Sequence, residues 1–124
     1  MNPEPRGEIA IQVLAMPADT NPSGHIFGGW LLSQMDIAGG VFCGKIAKGP
    51  VVTVAINAIT FKKPVNVGDV LSCYVDLIRK GRTSITVHIE SWINREYGND
   101  EIVKVTEGDY TYVKIDEEGK ATEI

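Results

Sequence analysis

Residues 21–36 read NPSGHIFGGWLLSQMD, a polar turn followed by a glycine pair and an apolar segment that contains one acid. A helix that begins at Gly28-Gly29 presents unpaired backbone N–H groups and a positive end to an approaching carbonyl oxygen. Asp36 follows two turns later, and residues 30–43 contain no basic side chain that could neutralise it. Oxyanion donors and a carboxylate without a local partner are the two parts that acyl-transfer chemistry requires.

The segment after Gly29 has the apolar periodicity of a long helix. Its main apolar residues are spaced by four, three and four, which places them on one helical face: Leu31, Met35, Ala38 and Phe42. Further apolar residues widen this face, and a helix that is apolar on most sides is expected to be buried. Two lysines and Gly49 form a suitable C-terminus, so we predict a helix from about Gly29 to Ala47.

The rest of the chain has the composition and alternation of β-strands. Five strands are predicted, at residues 8–15, 51–61, 70–79, 83–94 and 102–115, with turns at 16–27, 64–69, 80–82 and 97–100. In the fourth strand His88 falls on the polar face, where a surface position is expected. Short turns between the last four strands predict an antiparallel meander. An antiparallel sheet curled around the single helix gives an α+β fold.

Length and composition indicate one globular domain. The 124 residues are 44% hydrophobic and 23% charged, and we assign residues 1–7 to a flexible lead and 8–124 to the domain. A net charge of -4 argues against a nucleic-acid-binding protein. Cys43 and Cys73 lack metal-site spacing, so we expect no metal and two free thiols in a reducing cytoplasm. No apolar run has the ~20 residues of a membrane span, and no signal-peptide pattern is present.

Several motifs in this chain resemble those of one enzyme family. The most specific is the N-x-x-G-x-I-F-G-G-W-x-x-S-Q-M-D run at residues 21–36; weaker ones are VVTV at 51–54, VGDV at 67–70 and GRTSI at 81–85. Together they are similar to the hotdog-fold acyl-CoA thioesterases, above all to the short YciA-like bacterial acyl-CoA hydrolases. The resemblance covers about residues 8–115. It implies a hotdog fold, in which about five antiparallel strands wrap around one central helix.

The resemblance implies hydrolysis of acyl-CoA thioesters to a carboxylic acid and coenzyme A, in fatty acid metabolism, with no cofactor beyond the coenzyme A of the substrate. Asp36 is the candidate general base or nucleophile, and the alternative is a solvated surface acid. The N–H groups of Gly28 and Gly29 are candidate oxyanion donors, although these glycines could simply allow a sharp turn into the helix.

Polar residues on both sides of the helix are further candidates. His25 is either a donor near the thioester oxygen or the attacking water, or an ordinary loop histidine. Asn21 is expected to organise an Asx turn and, less strongly, to contact substrate. Thr53 and Asn57, assigned to one face of the strand after the helix, could reach the reaction centre, although threonine in a strand often reflects propensity alone.

Coenzyme A carries phosphates, so cations should border its binding site. Arg82-Thr83-Ser84 after Gly81 offers a guanidinium and two hydroxyls in a turn, and Lys63 is a second candidate. The alternative is an ordinary hairpin turn with a solvated arginine.

The helix rise indicates that one chain does not complete the site. Asp36 lies seven residues beyond Gly29, roughly 10 Å along the helix axis, whereas reacting atoms must come within about 3 Å. We therefore predict a homodimer in which two antiparallel helices form two composite sites, and the resemblance implies a hexamer built as a trimer of dimers.

Two other functions fit the same fold. One is a hotdog dehydratase or hydratase of β-hydroxyacyl thioesters, which the loop histidine at Gly24-His25 partly matches, although Ile26-Phe27 follows in place of Phe-Pro. The other is a non-catalytic acyl-CoA sensor, a class that tends to lose the helix carboxylate that Asp36 supplies here.

Overall fold

A computed structural model of the chain describes residues 4–95 and 101–124. Its elements are β1 (Glu8–Leu14), a short 3-10 helix (Pro17–Asp19), α1 (Gly28–Ala47), β2 (Val51–Phe61), β3 (Val70–Lys80), β4 (Ser84–Asn94) and β5 (Val103–Lys114). Each predicted strand and the helix agree with these bounds to within one residue. The turn predicted at 97–100 lies outside the described residues. Within the described ranges, no helix combines the length and hydropathy needed to cross a lipid bilayer.

The five strands form one antiparallel sheet in the order β1-β3-β4-β5-β2. The α+β hotdog architecture is confirmed, and β3, β4 and β5 form the expected meander. The prediction was wrong for β2, which pairs with β5 rather than β3, from Val51 opposite Lys114 to Phe61 opposite Thr106. A short connection at 62–69 does not make a hairpin, because Lys62 donates its backbone N–H to Val105 and keeps the chain beside β5.

Helix α1 packs one face against the sheet. Met35 and Ala38 are fully buried against strand residues such as Val87 and Ile89, and burial of each large apolar side chain contributes about 1.5–3 kcal/mol. The expectation that α1 is buried on most sides was wrong for the single chain, since Ile37 is 52% exposed. The helix end also differs, because Lys48 rather than Gly49 adopts the left-handed capping conformation, with φ of 55°.

Apolar side chains are also exposed on β2, an edge strand of the sheet. Val54 is 56% exposed, and Val52 and Ile56 are exposed as well. Val41 on α1 is exposed too, but it lies beside Ile9 and Ala10 of β1, at the other edge of the sheet. Several exposed apolar side chains on one edge strand are typical of a protein–protein interface, so β2 is a candidate for such a contact.

Alternation in β4 predicts a surface position for His88, and this prediction was wrong. The side chain is only 9% exposed and lies in a polar cluster on the face of the sheet that points away from α1. Its Nδ1 lies 2.9 Å from the Asp109 carboxylate and its Nε2 lies 3.0 Å from that of Glu90. Trp92 donates its indole N–H to Glu90, and the backbone N–H of Arg6 does the same. Alternation along β4 correctly placed His88 on the polar face of the strand. Whether that face is buried depends on the neighbouring strands and on Arg6, which alternation does not show.

The potential ligand atoms of His88, Glu90 and Glu107 lie within 4.8 Å of one another, as in many metal sites. However, the ammonium groups of Lys62 and Lys104 lie 3.2 and 3.3 Å from the Glu107 carboxylate. Cations already neutralise these acids, so the cluster is best described as an ion-pair network.

Candidate active site

The glycine pair opens α1. Phe27 is the N-cap residue with extended backbone, and its carbonyl accepts the N–H of Trp30 at 3.1 Å. The N–H groups of Gly28 and Gly29 therefore lie in the first turn, which has no intrahelical acceptors. Neither glycine has a positive φ, so the sharp-turn explanation does not account for them. A Cβ at Gly28 would lie 3.2 Å from the Phe61 ring, so this glycine lets β2 approach the helix start.

A cleft of about 290 Å³ lies beside this helix start. Leu31, Phe61 and Val65 give it an apolar lining, and Gly28 and Lys63 contribute polar groups. The cleft therefore combines apolar surface, helix N–H groups and a cation in one place.

Asp36 is half-buried on α1 and faces β2 and β5. The Thr53 hydroxyl donates to its Oδ1 at 2.5 Å, and the Tyr112 hydroxyl reaches the same oxygen at 2.9 Å. In residues 4–95 and 101–124, no ion pair involves Asp36 and no donor reaches its Oδ2. Among these residues the carboxylate therefore keeps one oxygen open for chemistry.

Tyr112 is the site residue that the sequence did not single out. It is fully buried on the inner face of β5, and burial, the hydrogen bond to Asp36 and the charge of Asp36 all raise its pKa far above the usual value. The available signal was the pair Tyr110 and Tyr112 on one face of a strand next to a helix that carries an acid. Alternation alone did not show which face meets the helix.

Thr53 and Asn57 do not share a face, contrary to the expectation. Thr53 pairs with Tyr112 on the inner side, whereas Asn57 pairs with Asp109, whose side chain bonds His88 on the outer side. A β-bulge between residues 53 and 55 inserts one residue and reverses the alternation.

The loop before α1 is organised by Asn21. Its side-chain oxygen accepts the backbone N–H groups of Ser23 at 2.9 Å and His25 at 3.1 Å, which matches the predicted Asx turn. His25 is exposed, and its Nδ1 lies 3.4 Å from the side-chain oxygen of Asn66. His25 and Asn66 lie close to the helix start, because the residues next to them, Ile26 and Val65, are joined by a backbone hydrogen bond beside the cleft.

The predicted phosphate-binding residues lie at opposite ends of α1. Lys63 lines the cleft at the N-terminal end. The 81–84 turn is bonded to Lys114, which lies beside Gly49 just past the C-terminal end. The helix has 20 residues and is therefore about 30 Å long. Arg82 is 84% exposed and forms an ion pair with Glu123 at 3.1 Å, so one chain does not gather these cations around one phosphate.

The two cysteine thiols are free, buried and poor nucleophiles. Burial raises the pKa of Cys43 to about 12. Burial also raises the pKa of Cys73, to about 11, although a hydrogen bond with Ser91 opposes it. Since the thiolate is the reactive form, neither cysteine suits nucleophilic catalysis near neutral pH.

Comparison with known proteins agrees with this geometry. A model of the thioesterase superfamily matches residues 23–96. Acyl-CoA thioester hydrolase YciA of Escherichia coli (strain K12) is 48% identical over 118 residues, which cover 94% of this chain and 89% of that protein.

Two solved structures have the same fold. A hexameric thioesterase from Yersinia pestis is 48% identical, with a TM-score of 0.91 and 98% of each chain covered. A hexameric hotdog-fold thioesterase of Campylobacter jejuni is 41% identical, with a TM-score of 0.88 over 95% of this chain and 90% of that one. The resemblance seen in the sequence is thereby confirmed, and the chain belongs to the thioesterase superfamily as a hotdog-fold, YciA-like acyl-CoA thioester hydrolase.

Proposed function

We propose that this chain hydrolyses acyl-CoA thioesters to a free carboxylic acid and coenzyme A, with Asp36 as the general base or nucleophile. The observation that carries this proposal is the state of Asp36, whose Oδ1 is held by two hydroxyls while Oδ2 meets no donor in the described residues. The Escherichia coli relative is an acyl-CoA thioester hydrolase, which supports the same substrate class. The matched relatives are hydrolases, which favours hydrolysis over the dehydratase and sensor alternatives.

Two chemical routes use the open oxygen. As general base, Oδ2 takes a proton from water, the water oxygen attacks the thioester carbonyl carbon, the C–S bond breaks, and the departing thiolate takes up a proton. As nucleophile, Oδ2 attacks the carbonyl carbon and expels the thiolate, and water then hydrolyses the mixed anhydride. Both routes place negative charge on the carbonyl oxygen, which needs donors about 2.7–3.1 Å away.

A partner subunit would supply those donors. Within one chain, Gly29 and Asp36 are separated by roughly 10 Å along the helix, so they cannot serve one carbonyl. We propose a homodimer in which the antiparallel helix of the partner brings its Gly28 and Gly29 N–H groups to Asp36. The exposed apolar side chains of α1 and β2, including Ile37 and Val54, support this arrangement because a second copy would bury them.

A larger assembly and a cellular location follow as proposals. The Yersinia pestis and Campylobacter jejuni relatives are named as hexameric, which supports a trimer of such dimers here. The two buried free thiols are suited to a reducing compartment, so we propose a cytoplasmic location.

Substrate binding would combine the cations of two protomers. We propose that Lys63 at the cleft and the turn of Arg82, Thr83 and Ser84 contact coenzyme A phosphates. Lys63 and the Arg82 turn lie at opposite ends of α1. They can therefore contact the phosphates of one coenzyme A only if they come from different subunits. The exposed guanidinium of Arg82 would then exchange Glu123 for phosphate.

The loop residues have separate proposed roles. Asn21 holds the 21–25 loop through its side-chain oxygen, and its amide nitrogen, which bonds none of the residues that the structure describes, is proposed to contact substrate. His25, exposed beside the helix start, is proposed as a donor to the thioester oxygen or to the attacking water. A substrate role for His25 would lower kcat in His25→Ala without a loss of stability.

Release of free thiol from a panel of acyl-CoAs tests the proposal directly. Wild-type protein should release coenzyme A, and Asp36→Asn should reduce kcat by roughly 10²–10⁴-fold with its assembly unchanged. Release that survives Asp36→Asn would refute the role of Asp36. Hydration of crotonyl-CoA without thiol release would indicate a hydratase, and binding without turnover would indicate a sensor.

Assembly and reaction route are measured separately. Analytical ultracentrifugation should show that the active protein is a dimer or a larger assembly. A monomer that keeps full thioesterase activity would refute the composite site. Rapid quenching of a single turnover, followed by mass spectrometry of the peptide that contains Asp36, distinguishes the routes. An acylated Asp36 indicates the nucleophilic route, and unmodified peptide throughout the turnover indicates general-base catalysis.

A further inference from the structure

Two tyrosines of β5 bind the same face of α1 at successive turns. The Tyr110 hydroxyl donates to the backbone carbonyl of Leu32 at 3.1 Å, and the Tyr112 hydroxyl lies 2.9 Å from the backbone carbonyl of Asp36. A two-residue step in a strand spans about 6.6 Å and a four-residue step in a helix about 6 Å, so the two contacts stay in register. The tyrosine rings stack with centroids 6.3 Å apart.

Only Tyr112 also reaches a carboxylate. Its hydroxyl shares one hydrogen between the Asp36 carbonyl and Asp36 Oδ1, each at 2.9 Å. We infer that Tyr112 is a positioning residue: with Thr53 it fixes Oδ1, so that Oδ2 is the oxygen that accepts the proton or attacks the thioester. This inference rests on the proposed function, because it assigns an atom to the role of Asp36.

The surroundings of Tyr112 support a fixed donor. The residue is 2% exposed, so water does not compete for its hydroxyl. Burial and the neighbouring Asp36 raise the pKa of its hydroxyl, so this proton is lost even less readily than that of an ordinary tyrosine. A Cβ at Gly39 would lie only 2.2 Å from this hydroxyl, so the absence of a side chain at residue 39 is what lets Tyr112 reach Asp36.

Tyr110 provides a matched control for the test. Tyr112→Phe and Tyr110→Phe each remove one buried hydroxyl that bonds a carbonyl of α1, and each keeps the stacked ring. Both variants should therefore lose similar stability. Tyr112→Phe should lower kcat roughly 10- to 100-fold with KM little changed, because misplacement of a reacting group acts on the chemical step. Tyr110→Phe should keep a kcat close to that of wild type.

A double variant adds a second readout. Thr53→Val removes the other donor to Oδ1, so its effect on kcat combined with Tyr112→Phe should be non-additive, as expected for two groups that hold one atom.

The outcomes separate this inference from the proposed function. Equal kcat values for Tyr112→Phe and Tyr110→Phe would overturn the positioning role while leaving hydrolysis by Asp36 intact. Full activity of Asp36→Asn would instead refute the role of Asp36, and the inference with it. A loss in Tyr112→Phe that appears only in KM would likewise overturn the inference, because fixed orientation of Oδ1 acts after substrate has bound.

Discussion

Gly39→Ala should damage stability and activity together, through Tyr112. The new Cβ would lie 2.2 Å from the tyrosine hydroxyl and 2.7 Å from two ring carbons. Ordinary contact begins near about 3.5 Å, so the ring must move by roughly 1.3 Å. That shift breaks the 2.9 Å hydrogen bonds to Asp36.

The free-energy change combines three effects. Loss of the hydroxyl contacts costs about 1–2 kcal/mol, and overpacking costs about 1–3 kcal/mol. In the opposite direction, alanine stabilises a helix interior by about 1 kcal/mol relative to glycine. We expect a net destabilisation of about 1–4 kcal/mol, measured by urea unfolding, with kcat lowered to about the level of Tyr112→Phe.

Gly40→Ala is the matched control, because a Cβ at Gly40 meets nothing within 4 Å in this chain. This variant should be as stable as wild type or more so by up to about 1 kcal/mol. A Gly39→Ala protein with wild-type stability and kcat would refute the packing of Tyr112 against the helix. The reasoning would also fail if Gly40→Ala lost as much stability as Gly39→Ala.

Three further predictions concern acid stability, thiol reactivity and phosphate binding. Burial raises the pKa of Glu90, but hydrogen bonds from Trp92, Arg6 and His88 and the charge of Lys104 outweigh it and leave the pKa below its usual value. Its stabilising contribution is therefore present above the pKa of glutamate in the unfolded chain and is lost as the pH falls through the lowered pKa of the folded state. Glu90→Gln should weaken the acid dependence of unfolding, and an unchanged pH profile would contradict this. Iodoacetamide should label Cys43 and Cys73 slowly in the native protein and rapidly in urea, with thioester hydrolysis unaffected by native-state treatment; fast native labelling would disprove their burial. Lys63→Ala should raise KM for acyl-CoA but not for the matching acyl-pantetheine, which lacks the nucleotide phosphates, and an equal rise for both would exclude a phosphate contact.

Local sequence patterns could not predict that β2 lies at the edge of the sheet. Strand bounds follow from composition and alternation, which are local, and every predicted strand agrees with the structure to within one residue. Strand order is a long-range property, so the turn predicted at 64–69 implies pairing of β2 with β3, whereas β2 pairs with β5. The bulge after Thr53 had a similar effect, since one inserted residue moved Asn57 to the other face.

The sequence by itself determined the α+β class, the helix start at the glycine pair and the position of Asp36 in a helix segment without basic residues. Helix periodicity and charge spacing are local properties of the sequence. It also determined, through the rise of the helix, that Gly29 and Asp36 cannot serve one carbonyl. Only the tertiary structure decided which hydroxyls hold Asp36 and which of its oxygens stays open. Residues 36, 53 and 112 are far apart in sequence, and no local pattern records the register that brings β2 and β5 against one turn of α1.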